Sequence, residues 1–295
     1  MAARAFRPED AGAVRVLMEA EYAPGAAELL LEHPAFERER AWVAEENRQV
    51  RGFLCCAEGF LACAVGEVAA LLPLAEADGK ARGYGRLRVS YFCPIRLPWV
   101  IPESGGAQHN NRPGVPVESG LFALLKTWGW VVKSRQVGMY LPLDGYVFPP
   151  EMAEKARKMA EKGYFVEWYD ENRHKGVDEM VESLHNSMWS AEIPAAAHGG
   201  LPLLVGLKGD TVAGFTGPVR PESTGRGYFA GIAVGPAWEG NGLGKLLFYR
   251  LLEAEKAVGA RYMTLFTGVD NHARAMYRKA GFREVREFAV MEKEL

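Results

Sequence analysis

The chain has 295 residues, 48% of them hydrophobic and 24% charged, with 35 Lys and Arg against 37 Asp and Glu for a formal net charge of −2. Such a composition belongs to a soluble globular protein with core enough for about two domains. The near-neutral charge excludes a nucleic-acid or membrane-surface partner held by bulk electrostatics. Glycine is the inflated count, at 33 residues.

The N-terminus, MAARAFRPEDAGAV, has no apolar core of the kind a secretory signal needs. The most apolar stretch, residues 60–74, contains Glu67 and Pro73 and is shorter than a membrane span. Cys55, Cys56, Cys63 and Cys93 form no C-x-x-C pair, and the six histidines form no H-x-x-x-H pair. The expectation is therefore no metal site, four reduced thiols packed as small hydrophobes, and a cytoplasmic protein.

Early in the chain, WVAEENRQVRGFL reads as strand–turn–strand. The tract 94–116, rich in Pro, Gly, Asn and Gln, reads as a long loop of the sort used as a lid or binding loop. Later come a strand at 164–168, helical patterning over 177–189 and a hairpin over 203–215 turning at Lys208-Gly209-Asp210. A strand at 228–234 leads through a glycine-rich turn into a helix over 242–258, with Leu243, Leu246, Leu247, Leu251 and Ala254 on one stripe and Gly259 at its C-cap. The chain closes with a strand at 262–267, a helix over 271–280 capped by Asp270 and stopped by Gly281, and a terminal strand or hairpin.

Three segments recur in the same order. Val50-Arg51-Gly52-Phe53 returns as Val212-Ala213-Gly214-Phe215, Gly120-Leu121-Phe122-Ala123-Leu124-Leu125 as Gly242-Leu243-Gly244-Lys245-Leu246-Leu247, and Ala156-Arg157-Lys158-Met159-Ala160 as Ala273-Arg274-Ala275-Met276-Tyr277. Repetition in order points to a duplication, with a boundary expected between residues 163 and 164 and about 40 extra residues in the first half, much of them in the loop 94–116. Strands mixed with helices make each half an α/β or α+β mixed-sheet domain.

The densest signal is Ile232-Ala233-Val234-Gly235-Pro236-Ala237-Trp238-Glu239-Gly240-Asn241-Gly242-Leu243-Gly244-Lys245. Glycines at 240, 242 and 244 let backbone approach a ligand, and free N–H groups at the following helix N-terminus make an anion site. The spacing is neither the dinucleotide fingerprint nor a P-loop. A tight turn that merely needs small residues is the plain alternative.

With its flanks, this turn resembles the GNAT acetyltransferase superfamily, whose members hold acetyl-CoA at a strand–turn–helix with Arg/Gln-x-x-Gly-x-Gly/Ala in the turn. Here Glu239, Gly242 and Gly244 occupy those places, and Asn271-His272-Ala273-Arg274-Ala275-Met276-Tyr277-Arg278-Lys279-Ala280-Gly281-Phe282 matches a second family motif. The likeness covers roughly residues 163–295 and implies two tandem GNAT-like acyl-CoA N-acyltransferase domains, 1–163 and 164–295.

The resemblance implies that Ile232, Ala233, Val234, Glu239, Gly240, Asn241, Gly242, Leu243, Gly244, Lys245, Asn271 and Tyr277 bind the cosubstrate. Strand 228–234 would splay from strand 262–267, freeing backbone groups at Ile232 and Val234 for the acetyl-pantetheine arm, with the Val234 N–H on the thioester oxygen. Asn271 would bond the cofactor backbone or cap its helix. Tyr277 would serve the departing thiolate as acid or hydrogen-bond donor, or simply face the core. Glu239 departs from the family's Arg or Gln, and a carboxylate there repels pyrophosphate unless backbone amides and Lys245 offset it. Glu222, Tyr228, His198 and His185 are polar candidates for a general base, none singled out.

In the first half the matched positions are Glu118, Gly120 and Phe122, with Ala160 in place of Tyr277. Charge and bulk spoil that cradle, so only the second half is expected to bind acetyl-CoA. The implied activity is acetyl transfer to a primary amine of a small molecule or peptide, by a monomer or homodimer with no nucleic-acid or membrane partner. The alternatives are a non-catalytic acyl-CoA-binding or sensing protein and a general phosphate-binding domain. Trp128 and Trp130 either wall an acceptor pocket or belong to an ordinary core.

Overall fold

A computed structural model describes residues 1–295. In chain order the first elements are β1 (Ala2–Ala5), α1 (Ala11–Glu19), α2 (Ala26–Leu31), β2 (Ala41–Glu46), β3 (Gln49–Ala57), β4 (Phe60–Gly66), α3 (Leu72–Ala81) and β5 (Arg86–Val89). They continue as β6 (Trp99–Val100), β7 (Gln108–His109), β8 (Val115–Pro116), α4 (Gly120–Thr127), β9 (Val131–Pro142), α5 (Pro150–Ala160) and β10 (Tyr164–Trp168). The rest are α6 (Val177–Glu182), α7 (Ser187–His198), β11 (Leu204–Lys208), β12 (Thr211–Thr216), β13 (Ile232–Val234), α8 (Leu243–Ala257), β14 (Tyr262–Gly268), α9 (Ala273–Lys279) and β15 (Arg283–Glu294). No helix is long and apolar enough to cross a membrane.

By packing, the chain forms two units. One comprises Met1–Met139, Phe266–Arg274 and Glu284–Leu295; the other comprises Tyr140–Leu265 and Ala275–Arg283. The first unit holds a mixed sheet in the order β1-β2-β3-β4-β5-β15-β9-β14, with β8 also on β15. Strand β15 is antiparallel to β5, Met291 opposite Val89, and to β8, Phe288 opposite Pro116. Parallel strands β4 and β5 meet only at Phe60 and Arg88. A core of Leu54, Cys56, Leu71, Leu87, Leu125, Trp130, Ala289 and Met291 fills one face. Trp130 is thus core, and Trp128 packs partly buried against the same cluster.

The tract 94–116 is mostly irregular, as expected, but it is anchored. It forms the short β6–β7 hairpin, and Trp99 lies 2% exposed with its ring edge on Phe288, centroids 5.0 Å apart. All four cysteines are free and buried, and burial pushes their thiols up, Cys56 and Cys63 to about 12.

The second unit is built on an antiparallel sheet, β10-β11-β12-β13. Helix α6 and its neighbour α7 cover one face, where Val177, Met180, Val181 and Ile193 meet Val205, Leu207, Val212 and Phe215. The apolar stripe of α8 is buried on the sheet, and a Cβ on Gly206 would collide with Leu243, so that glycine sets how closely α8 lies. Helix α5 packs against α8 and β10.

Three expectations change. The helix over 177–189 is interrupted: His185 takes φ 52°, and Asn186 accepts the amides of Met188 and Trp189 to start α7 afresh. The strand over 228–234 shortens to β13, because the Tyr228 amide bonds the Arg220 carbonyl and Gly227 bonds Tyr262. The last helix begins at Ala273, whose amide donates to Asn271 Oδ1 at 2.9 Å, so Asn271 rather than Asp270 caps it.

The fully buried Phe288 joins the terminal strand to Trp99. Phe288→Ala should lower unfolding free energy by about 3–5 kcal/mol in urea melts, with a blue-to-red shift of tryptophan fluorescence at lower denaturant.

Candidate active site

Three backbone features converge at the start of α8. Pro236–Trp238 form a single 3-10 turn, after which Gly240 and Gly242 take φ 79° and 81°. An L side chain is disfavoured in that left-handed region, so glycine is the residue that lets the chain reverse here. Gly242 caps α8 without a side chain, and the first backbone bond into the helix is Leu246 N–H to the Gly242 carbonyl at 3.2 Å. The first-turn amides of Leu243, Gly244 and Lys245 are left without an internal acceptor at the positive end of the helix dipole.

The expected pairing of the Gly120 turn with the Gly242 turn does not hold in the fold: α8 follows hairpin β11–β12 and strand β13 as α3 follows hairpin β2–β3 and strand β4, so the counterpart of α8 is α3, and α4 stands in the place of α9. The start of α4 is nonetheless built differently from that of α8. Ser119 caps α4, its Oγ accepting the Phe122 amide at 3.1 Å, and Glu118 pairs with Arg286 at 2.8 Å. One helix start is closed by its own side chain; the other is open.

Around the open turn, Asn241 Nδ2 reaches Tyr164 Oη at 3.2 Å and the Trp238 and Glu239 carbonyls at 3.3 Å each, which knits the loop together. Glu239 is exposed. A Cβ on Gly242 would run into the ammonium of Lys155, which reaches over from α5. Burial, then the charge of Lys245, pulls the Lys155 pKa below its ordinary value. Lys245 lies 5.7 Å from the Tyr249 ring. One cation, Lys155, thus lies over an uncapped helix end, with Lys245 near enough for its charge to act on it.

Strand β13 supplies a second open edge, since it is the last strand of its sheet. Gly214 opposes Val234, Phe215 opposes Ala233 and Thr216 opposes Ile232. The Gly235 amide donates to the Ala213 carbonyl at 2.8 Å, so bonding pairs alternate from there. Ala233 therefore spends its backbone groups on β12, while those of Ile232 and Val234 turn to the free side. Val234 Cγ2 would be 3.4 Å from a Cβ on Gly244, which places this edge beside the start of α8.

One turn further along α8, Phe248 packs on Tyr277, centroids 4.9 Å apart, and Phe282 completes the cluster. Tyr277 is 8% exposed, and burial raises its pKa above 10. Asn271 is exposed and engaged in its own helix cap.

The polar candidates separate. Tyr228 donates a short hydrogen bond to Glu192 and is pushed up to about 12 by burial and that carboxylate, with Arg220 stacked 4.0 Å above its ring. Glu222 accepts Arg226 at 2.9 Å. His198 lies at the surface between Asp178 and Glu171, which raise its pKa, and His185 occupies the left-handed break before α7. Sequence reasoning missed Glu192, Lys155 and Glu255. Glu255 is fully buried on α8, accepts the Arg220 amide through Oε1 at 3.2 Å and has no partner for Oε2; burial pushes it up to about 8.

Residues 154–282 match the family model described as "Acetyltransferase (GNAT) family". No relative of curated function matches the sequence. Among solved structures, the chain is similar to a GCN5-related glucosamine N-acetyltransferase region of a fungal multi-domain GH3 β-N-acetylglucosaminidase (TM-score 0.71, 13% identity, 99% of this chain and 38% of that one). It thus spans well under half the length of that protein. It is also similar to a GCN5-related N-acetyltransferase from Sphaerobacter thermophilus (TM-score 0.63, 14% identity, 99% and 95%) and to a tandem GNAT protein from the clavulanic acid biosynthesis pathway (TM-score 0.55, 15% identity, 99% and 98%). These likenesses establish the fold: two tandem GNAT-like domains.

Two outcomes follow from the local geometry. Gly242→Ala forces a Cβ into the left-handed region and should cost about 1–2 kcal/mol in urea melts. Glu255 holds a proton in the fold up to about pH 8 that the unfolded chain releases near its ordinary 4.5. Stability should therefore fall as pH rises between those values, by at most about 1.4 kcal/mol per unit. Glu255→Gln should flatten that decline.

Proposed function

From the premise that residues 154–282 are a domain of the acetyltransferase (GNAT) family, and the protein an acyltransferase, we propose that it moves an acetyl group from acetyl-CoA to a primary amine of a small molecule or peptide. The observation that carries this is the uncapped start of α8 beside the free edge of β13. An anion-binding helix end and outward-facing strand amides stand next to each other there. The proposed active domain is 164–295, preceded by a domain over 1–163 that is not expected to bind acetyl-CoA at a turn of its own, although its last helix, α5, lays Lys155 over Gly242. Four buried free thiols suit work in the cytoplasm.

Acetyl-CoA supplies an activated thioester carbonyl and a thiolate leaving group. The amides of Leu243, Gly244 and Lys245, with the Lys245 ammonium, bind its pyrophosphate at the helix end. Glu239 faces solvent and contributes its carbonyl to Asn241, so backbone rather than that side chain does the holding. The Val234 N–H points off the free edge and polarises the thioester oxygen, and Ile232 steadies the arm. The amine nitrogen forms the new N–C bond and sheds a proton to solvent as the C–S bond breaks, its electron pair leaving on sulfur. Tyr277, made a weaker acid by burial, holds that sulfur by donating a hydrogen bond rather than by giving up its proton outright.

Steady-state release of CoA across a panel of primary amines tests this. Tyr277→Phe should lower kcat about 10- to 100-fold while the Kd for CoA stays within about twofold. Tight CoA binding with no turnover on any amine would instead favour an acyl-CoA sensor.

A further inference from the structure

Ahead of β13, residues 220–228 fold back on themselves. Pro221 bridges Gly227, the Glu222 amide donates to the Arg226 carbonyl at 2.7 Å, and the Tyr228 amide donates to the Arg220 carbonyl at 2.9 Å. Glu255 braces this turn: its Oε1 accepts the Arg220 amide at 3.2 Å, and its Oε2 would lie 2.9 Å from a Cβ on Gly227. Residues 228–231 then carry the chain away from Tyr262, to whose carbonyl Gly227 donates at 2.8 Å, and over to β12, where Ile232 opposes Thr216. Tyr228 thus heads the run that becomes the free edge of β13, with at most about 14 Å of chain between it and Ile232.

The Tyr228 side chain is held at both ring and hydroxyl. Arg220 stacks 4.0 Å from the ring centroid, and the hydroxyl donates a short hydrogen bond to Glu192 Oε1. Helix α7 brings Glu192 there, together with Met188 and Trp189 one turn earlier on the same face. Trp189 is fixed, its Nε1 donating to the Ala230 carbonyl at 3.1 Å and its ring lying where a Cβ on Gly231 would stand. Met188 is 52% exposed. Glu192 is half-buried and pairs with no Lys or Arg; Tyr228 is its neutral partner and leaves Oε2 uncommitted. A carboxylate drawn partly out of water without a cation is held at a cost that a cationic ligand removes.

We propose that Glu192 is a specificity-determining residue for the acceptor: its carboxylate, aimed by the Tyr228 hydroxyl, binds the acceptor's ammonium group, while Met188 and Trp189 take the apolar skeleton that carries it. The assignment rests on the reading that β13 presents the thioester. The acceptor is accordingly an alkyl amine, charged at neutral pH and borne on an apolar group, rather than an aryl amine that is neutral there. Once seated, the ammonium gives one proton to solvent, and the neutral nitrogen turns to the thioester carbonyl at the edge that begins with Ile232. Glu192 stays a carboxylate throughout, so it is felt in acceptor binding and not in the chemical step.

Benzylamine and aniline, an alkyl and an aryl amine on the same ring, separate charge from shape. Steady-state kinetics and titration calorimetry in the presence of CoA should show the wild type binding benzylamine about tenfold more tightly than aniline. Glu192→Gln keeps an acceptor for Tyr228 but no charge. It should raise KM and Kd for benzylamine about tenfold and leave aniline and the KM for acetyl-CoA within about twofold, with kcat within about threefold. Glu192→Asp should restore most of the benzylamine affinity, and Tyr228→Phe, which keeps the carboxylate but not its aim, should cost about threefold. A Glu192→Gln protein that matches the wild type on benzylamine overturns the proposal and leaves the acetyltransferase reading intact. So does a wild type that does not prefer benzylamine, or a Glu192→Gln loss shared equally by aniline and acetyl-CoA with a lowered melting temperature. A wild type that binds CoA yet neither binds nor acetylates any amine overturns both.

Discussion

A helix cannot satisfy the amides of its own first turn, and what a chain does about that decides what the helix end can hold. Here two helices of the same chain, α4 and α8, resolve it in opposite ways. Ser119 turns inward and closes α4 with one hydroxyl. Gly242 brings no side chain at all, and its left-handed backbone swings the preceding loop clear of the axis of α8. The unsatisfied donors persist because the loop is fixed from the side by Asn241 instead of from the front. A loop that capped the helix would be locally more stable and chemically inert.

The strand edge obeys the same logic. In an antiparallel sheet, alternate residues of an edge strand must leave their backbone groups unpaired. On β13 those residues are Ile232 and Val234, and the ladder registers that choice through the Gly235–Ala213 bond. A shift of one residue would present Ala233 and hide its neighbours. Gly244 keeps α8 close enough for Val234 to lie against its first turn, and Phe248 one turn on carries the contact to Tyr277. Donors, edge and phenol are thus held by one helix, so their mutual spacing does not depend on a flexible connection.

Much of this was legible in the sequence, because glycine at a fixed spacing between an apolar strand and an apolar helix stripe has few structural meanings. The hairpin, α8, β14 and the stop at Gly281 fall where the pattern puts them. What escaped was governed by side chains that compete locally with the backbone. Asn186 restarts a helix inside a run that reads as continuous, and Asn271 takes a cap that Asp270 equally suits. Tyr228 leaves its strand because its amide and its hydroxyl both find partners elsewhere. Glu255 was invisible, since a glutamate on a helix reads as solvent-facing until the packing closes over it.

Lys155 was hidden for a different reason. The repeat assigns its helix to the first half, as the counterpart of the helix that carries Tyr277, yet by packing α5 belongs with α8 and β10. Reading each half against its own copy therefore finds Glu239 where a cation is wanted and stops. Charge at a binding site is a property of position in space, and the Coulomb term does not distinguish a lysine in the turn from one laid across it by a neighbouring helix. Helix α5 lays the Lys155 ammonium against Gly242, while Glu239 faces solvent and lends its carbonyl to Asn241. The positive charge beside the start of α8 thus comes from a helix that the sequence pattern places in the other half.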